Sequence, residues 1–249
     1  MPNYKLTLCY DGTRYQGWQR QGNTDNTIQA LLEKRLSALL GEGVELAASG
    51  RTDAGVHAAA QVCSFRTQAA LDCADTLARL RAALPEDIGA LALEEAPPRF
   101  HARLSCTGKR YLYRVWNSTG PCVFERRFVF PFPEELDEAA MRRAAALLLG
   151  THDFTSFCGN PRMKKSAVRT LRAIEITREG GELRLLYEGD GFLMHMVRIL
   201  TGTLLEVGTH RRAAETMPEL LAAKSRAAAG FTAPARGLTL LDAAYDGPR

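Results

Sequence analysis

The stretch VELAASGRTDAGVHAAAQVCSF, Val44 to Phe65, carries two apolar-rich runs, VELAAS (44–49) and AQVCSF (60–65), on either side of a segment of small residues. Both runs read as strands, which makes SGRTDAGVHA (49–58) the connection between them. Upstream, YKLTLCY (4–10) alternates apolar and polar side chains and stops at the turn pair Asp11-Gly12, so it reads as a first strand. Between the first two strands, Ile28, Leu31, Leu32, Leu36, Leu39 and Leu40 line one helical face, with Asn26 as N-cap, Gln29 at N3 and Gly41 as the stop. A helix over 74–84 before Pro85 and a strand over IGALALEE (88–95) complete the order β-α-β-β-α-β.

Working outward, the order returns in the second half. KRYLYRVWN (109–117) reads as a strand, a helix runs from Glu135 to Leu149, and RAIEITRE (172–179) and ELRLLYEG (182–189) form a hairpin across Gly180-Gly181. Helices over 193–207 and 213–223 precede the last strand, GLTLLDAAY (237–245). The fold class is therefore α+β: two split-βαβ, ferredoxin-like units with mostly antiparallel sheets, helices on one face and a cleft on the other. Edge-to-edge meeting of the two sheets would make one extended mixed sheet. The expected domains are 1–104, carrying the small-residue loop, and 105–249.

The 249 residues are 46% hydrophobic and 24% charged, which excludes a disordered or fibrous chain. The opening residues MPNYKLTLCYDG lack a basic segment before a long apolar stretch, and no apolar run reaches the roughly 18 residues of a membrane span. Cysteines at 9, 63, 73, 106, 122 and 158 form no Cys-x-x-Cys pair and no close Cys/His spacing, so they read as reduced thiols of a cytoplasmic protein, without a zinc site. Lys and Arg against Asp and Glu number 11 to 12 over residues 1–104 and 21 to 16 over 105–249. The surplus gathers at Lys109-Arg110 with Arg114, Arg126-Arg127, Arg142-Arg143, Arg211-Arg212 and the acid-free RMKKSAVRTLR (162–172). Such clusters suit a phosphate backbone and equally a solvated surface.

Within the quoted stretch, Asp53 lies two positions after Arg51 among Ser49, Gly50, Ala54, Gly55 and Ala58, so a bulky ligand can approach its carboxylate. A nearby guanidinium favours the ionised form, which can act as nucleophile or base. Arg-Thr-Asp in a loop also describes a turn with a surface ion pair. His57 reads as structural rather than as a metal ligand, because no second His or Cys pairs with it at helical or hairpin spacing. In YDGTRYQGWQRQ (10–21), Tyr10, Tyr15 and Trp18 among Arg and Gln suit stacking on bases or a packed hairpin. Tyr111 and Tyr113 share a strand face, and His195, Arg198 and Gly202 share a helical one, where an inward Arg198 needs a carboxylate partner such as Asp53.

Together YDGTRYQGWQRQ, TIQALLE, SGRTDAGVHA, FHAR (100–103), KRYLYR (109–114), HDFTSFC (152–158), RTLRAI (169–174), GFLMHMVRILTGTLLEVG (191–208) and APARGLTL (233–240) resemble the bacterial tRNA pseudouridine synthase A family from end to end. One departure is Met194, where relatives often carry a His before His195. The resemblance implies the pseudouridine synthase fold and an isomerase that converts uridine to pseudouridine in the tRNA anticodon stem-loop, at positions 38, 39 and 40. It implies Asp53 as the nucleophile and Arg51 as the residue that displaces the target nucleotide and takes its place. Tyr111 becomes the aromatic stacked on the uracil, Arg198 the ion-pair partner of Asp53 and Leu238 an apolar pocket wall. It further implies no cofactor or metal, and a homodimer with tRNA across both subunits. Two rivals differ in class. Tandem RNA-recognition motifs share the β-α-β-β-α-β plan, although neither AQVCSF nor ELRLLYEG carries their Lys/Arg-Gly-Phe/Tyr aromatic pattern. A metal-dependent hydrolase would use Asp53 and His57.

Overall fold

The computed structural model describes residues 1–160 and 162–245. Among them the chain is mixed α+β, with a large mixed sheet of ten strands and with five α-helices. The described residues divide into two compact units, 1–107 with 240–245, and Gly108–Thr239. No helix among the described residues is long and apolar enough to cross a membrane.

In the first unit the strands are β1 (Asn3–Tyr10), β2 (Ala47–Ala48), β3 (His57–Arg66) and β4 (Ile88–Glu95), with α1 (Ile28–Leu40) and α2 (Cys73–Ala83) between them. The order β4-β1-β3, with β2 on the far edge of β3, is antiparallel throughout, the arrangement expected of a split βαβ unit. Alternation along β1 buries Tyr4, Leu6, Leu8 and Tyr10, while α1 turns Ile28, Leu32 and Leu36 inward at four-residue intervals. Each such leucine contributes about 1.5–3 kcal/mol by leaving water. Gly41 ends α1 in the left-handed region at φ 70°, which a residue without a Cβ enters at no steric cost.

Two expectations for this unit need correction. The N-cap of α1 is Thr27, whose hydroxyl accepts from the Ala30 amide, while Asn26, one residue earlier, turns its carboxamide nitrogen to donate to the Arg14 carbonyl at 2.7 Å. The strand expected over 44–49 shrinks to Ala47–Ala48. Its start is tied to α1 instead: the Val44 amide donates to Ser37 Oγ and the Leu46 amide to Glu33 Oε1, both at 3.0 Å. The buried Glu33 carboxylate is satisfied by that amide, by Gln29 Nε2 at 2.8 Å and by Arg20 at 3.1 Å.

The second unit holds β5 (Cys106–Trp116, from Gly108), β6 (Phe130–Pro131), β7 (Gly150–Asp153), β8 (Val168–Glu179) and β9 (Glu182–Gly189). Its helices are α3 (Glu138–Ala146), α4 (Met196–Gly208) and α5 (Met217–Ala223), and β10 (Leu238–Tyr245) crosses the boundary between the units. The order β5-β9-β8-β7 is antiparallel, with β6 beside β5 in parallel. Strands β6 and β7 are additions to the expected plan, and β8 starts four residues early because it pairs with β7 from Asp153 opposite Val168. The helices α3, α4 and α5 are shorter than their periodicity suggests. Asp137 caps Ala140 and sets the start of α3. His195, at φ 61°, cannot continue a right-handed helix, so α4 begins at Met196. A 3₁₀ turn, Ala214–Thr216, takes the place of the first turn of α5.

Candidate active site

Asp53 lies in the loop between β2 and β3, half-buried, with Arg51 exposed beside it. The loop is short of bulk but not of bonds. Trp18 N–H donates to the Thr52 carbonyl at 3.0 Å, Gly55 N–H to the Tyr15 carbonyl at 3.3 Å and Val56 N–H to the Asp53 carbonyl at 3.1 Å. The first contact brings residues 10–21 against the loop, so Tyr10, Tyr15 and Trp18 are core side chains, Trp18 only 1% exposed. Of the two readings of these aromatics, the packed one holds, in an irregular loop with a 3₁₀ turn at Gly12–Arg14 rather than a hairpin: Tyr10 and Trp18 lie ring against ring, centroids 6.2 Å apart, and the Tyr10 and Tyr15 hydroxyls bond to Thr52 and Asp87 inside the protein. Tyr15 donates its hydroxyl to Asp87 at 2.7 Å, and burial together with that carboxylate pushes its pKa up to about 12. Arg14 and Arg20 are likewise held, by Asp87 at 2.7 Å and by Glu33 at 3.1 Å.

Behind the loop, His57 is buried, and its Nδ1 accepts the Gly12 N–H at 3.1 Å, with Asp11 Oδ1 also 3.1 Å away. A Cβ on Gly12 would overlap the Val56 carbonyl oxygen, so this turn and the end of the Asp53 loop touch backbone to backbone. His57 thus anchors the loop from below. No spacing along the chain announces that contact.

The other three expected site residues belong to the second unit. Tyr111, on β5, pairs in register with Tyr187 of β9 and meets Phe192 edge-on, ring centroids 5.1 Å apart at 80°. Its strand-mate Tyr113 is wholly buried and donates its hydroxyl to the Pro234 carbonyl at 2.7 Å. Burial drives the Tyr113 pKa far above the usual range, although the Arg198 and Arg236 charges pull the other way. Arg198, in the first turn of α4, is half-buried and donates Nε–H to the Ala233 carbonyl at 2.8 Å, while Ala233 N–H returns a bond to the Arg198 carbonyl at 3.1 Å. Residues 230–233 approach this closely because Gly202 leaves no Cβ to meet the Phe231 carbonyl and Gly230 N–H bonds Thr203 Oγ1 at 3.0 Å. His195 does not join Arg198 and Gly202 on the helical face; it precedes α4, its ring against Gly159. Leu238 opens β10 and is buried. Arg51 and Asp53 thus stand in one unit, and Tyr111, Arg198 and Leu238 in the other.

A family model described as tRNA pseudouridine synthase matches residues 8–105 and 144–246. The chain belongs to the tRNA pseudouridine synthase family. It is 42% identical over 240 residues to tRNA pseudouridine synthase A 2 of Bacillus anthracis, covering 96% of this chain and 98% of that one. It is 44% identical over 241 residues to tRNA pseudouridine synthase A of Moorella thermoacetica, with the same shares, and 40% identical over 245 residues to that of Acetivibrio thermocellus, covering 98% and 100%. Membership in this pseudouridine synthase family makes the chain an isomerase with tRNA as its substrate, and sets aside both the passive RNA-binding reading and the hydrolase.

Proposed function

We propose that this chain isomerises uridine to pseudouridine at positions 38, 39 and 40 of the tRNA anticodon stem-loop, with Asp53 as nucleophile on a nucleotide turned out of the stack. The observation that carries the reading is the Asp53 loop: a carboxylate on a bond-anchored backbone, bordered by Gly50, Ala54 and Gly55, with an exposed guanidinium two residues away. A base stacked within a stem is out of reach of a side chain, and turning it out costs a few kcal/mol. Arg51 offsets that cost by entering the space the nucleotide leaves. In the exchange the N1–C1′ bond breaks, C5 bonds to C1′, the C5 proton departs and N1 takes one up. An oxygen of Asp53 bonds to the nucleoside and is released as the new bond forms, so the carboxylate is regenerated. Tyr111 stacks on the detached uracil, Arg198 pairs with Asp53, and Leu238 closes an apolar wall.

Support for a polyanionic substrate comes from the second unit. A cavity of about 560 Å³ there is lined by Lys165, Lys224 and Arg226, with one acid, Asp153, neutralised by Lys224 at 2.9 Å. The enzyme works in the cytoplasm as a homodimer with tRNA lying across both copies. Unmodified tRNA transcripts, incubated with the protein and mapped for pseudouridine at single-nucleotide resolution, test the assignment. Modification confined to 38–40 is expected. Modification elsewhere in the tRNA, with those positions untouched, overturns it.

A further inference from the structure

Four buried polar side chains in the first unit, Ser49 and Thr52 of the loop with Gln61 and Tyr10 of the strands, form a continuous hydrogen-bonded chain. Gln61, on β3 and 0% exposed, is its centre. Its carboxamide oxygen accepts from Ser49 Oγ at 2.6 Å, and its nitrogen donates to the Gly50 carbonyl at 2.9 Å and, at 3.4 Å, to the Tyr10 hydroxyl. That hydroxyl lies 2.8 Å from Thr52 Oγ1. Both platforms are rigid: Tyr10 and Gln61 sit on β1 and β3, whose ladder joins Leu8 to Gln61 and Tyr10 to Ala58. Burial keeps the Tyr10 hydroxyl protonated throughout the working range, so no charge enters the chain there.

We propose that Gln61 is a positioning residue for Asp53, fixing the loop through Ser49 and Gly50 directly and through Thr52 by way of Tyr10. The chemistry of the position calls for an amide. Ser49 requires an acceptor, and the Gly50 carbonyl requires a donor from the same side chain, a pair of demands that a carboxylate or an aliphatic group of similar size cannot meet. Only Arg51, between the anchored residues, points its side chain into solvent, and Asp53 follows Thr52 directly. A displacement of about 1 Å of a reacting group costs on the order of a hundredfold in rate, so four bonds, three of them buried, holding a loop with little side-chain packing of its own bear on catalysis as well as on stability.

This inference rests on Asp53 being the reacting group, and the experiment separates the two. Gln61→Leu, Gln61→Glu, Tyr10→Phe and Asp53→Asn are compared with Leu36→Ala, a cavity in α1 away from the loop, in tRNA turnover at a temperature where circular dichroism shows each protein folded. Gln61→Leu and Gln61→Glu are expected to lose about 30-fold or more in kcat with KM for tRNA within about threefold, and Tyr10→Phe about fivefold in kcat alone. Leu36→Ala is expected to lower the Tm yet keep its kcat per folded molecule. Should the Gln61 variants fail to fold, Tyr10→Phe decides. Wild-type kcat in Gln61→Leu, or in Tyr10→Phe if that variant decides, overturns the positioning role while inactive Asp53→Asn leaves the nucleophile standing; active Asp53→Asn overturns the nucleophile itself. A kcat loss in Leu36→Ala equal to that of Gln61→Leu reduces Gln61 to a merely structural residue.

Discussion

Gly12 in the first unit and Gly202 in the second stand at equivalent tight spots, each where a Cβ would overlap a carbonyl oxygen, of Val56 and of Phe231. What surrounds them differs. Around Gly12 the contacts are directional: the His57 ring takes its amide, and beyond it Thr52, Tyr10, Gln61 and Ser49 bond in sequence along the loop. Around Gly202 apolar packing is added to such bonds: Ile199, Leu200 and Leu204 are fully buried on the same helix, and the 230–233 segment lies along it on hydrogen bonds to Arg198, Thr203 and Glu206. A loop built from Gly, Ala, Ser and Thr has no bulk with which to fix itself, so its geometry comes from hydrogen bonds. A helix start rich in aliphatic residues is fixed by shape as well as by its bonds.

The contrast can be broken at its strongest point first. Gly202→Ala should lower the unfolding free energy by about 3 kcal/mol, because backbone rather than a flexible side chain must move. A loss under about 1 kcal/mol in chemical denaturation would show that the 230–233 segment yields freely. Gly12→Ala should cost about 2 kcal/mol and, unlike a packing change remote from the loop, also reduce turnover about tenfold, since the Val56 end of the Asp53 loop is displaced. Steady-state kinetics on the folded variant check this, and unchanged kcat would detach the Gly12 turn from the site.

Acid separates the units in a second way. Burial pushes the Glu182 carboxyl up, but hydrogen bonds from Arg114 at 2.7 Å and Arg184 at 2.7 Å outweigh it and hold the group below its usual range. Glu138 behaves alike between Arg178 and Arg142. Asp137 is lowered by the Ala140 amide, and Asp153 by the Thr155 hydroxyl and Lys224. All four lie in the second unit. For a depressed carboxyl the unfolded chain takes up the proton first, so for Glu182 the stabilisation is complete above the unfolded value of about 4.5 and is lost as pH falls through the lower folded value. Glu182→Gln should therefore cost about 2 kcal/mol at neutral pH and flatten the fall in stability below pH 4.5. Denaturation curves from neutral to acid pH with identical slopes for both proteins would contradict this. The smallest effect is expected for Tyr113→Phe, which leaves the Pro234 carbonyl without its donor at the cost of about 1 kcal/mol, read as a modest drop in Tm.

Much of this was legible in the sequence where one element's own pattern decides. The alternation of β1, the Gly41 stop, the bounds of β4 and β9 and the Gly180-Gly181 hairpin all follow from local periodicity and turn chemistry. The contiguous motif around Asp53 was legible too, because a loop of small residues around a charge pair stands out in a linear reading. Local pattern failed where the partner lies far along the chain. Val44 and Leu46 look like strand residues until their amides are seen to be taken by Ser37 and Glu33. Tyr10, Tyr15 and Trp18 look like a base-stacking set until the Thr52 carbonyl binds the Trp18 amide and draws them inward. The support of Arg198 comes from Ala233, 35 residues on, and nothing near Arg198 announces it. Gln61 left a faint trace, an amide among the aliphatic residues of its strand, whose meaning depends on Ser49 and Gly50 lying above it.

The most direct test of the account is Asp53→Asn, assayed for tRNA retention and for nucleoside composition in the same preparation. The carboxamide keeps the shape of the side chain and removes its charge. Distributed cations should hold the tRNA at close to wild-type affinity, while pseudouridine formation falls by more than about a thousandfold. Turnover within about tenfold of the wild type, with tRNA bound as before, would contradict the central claim.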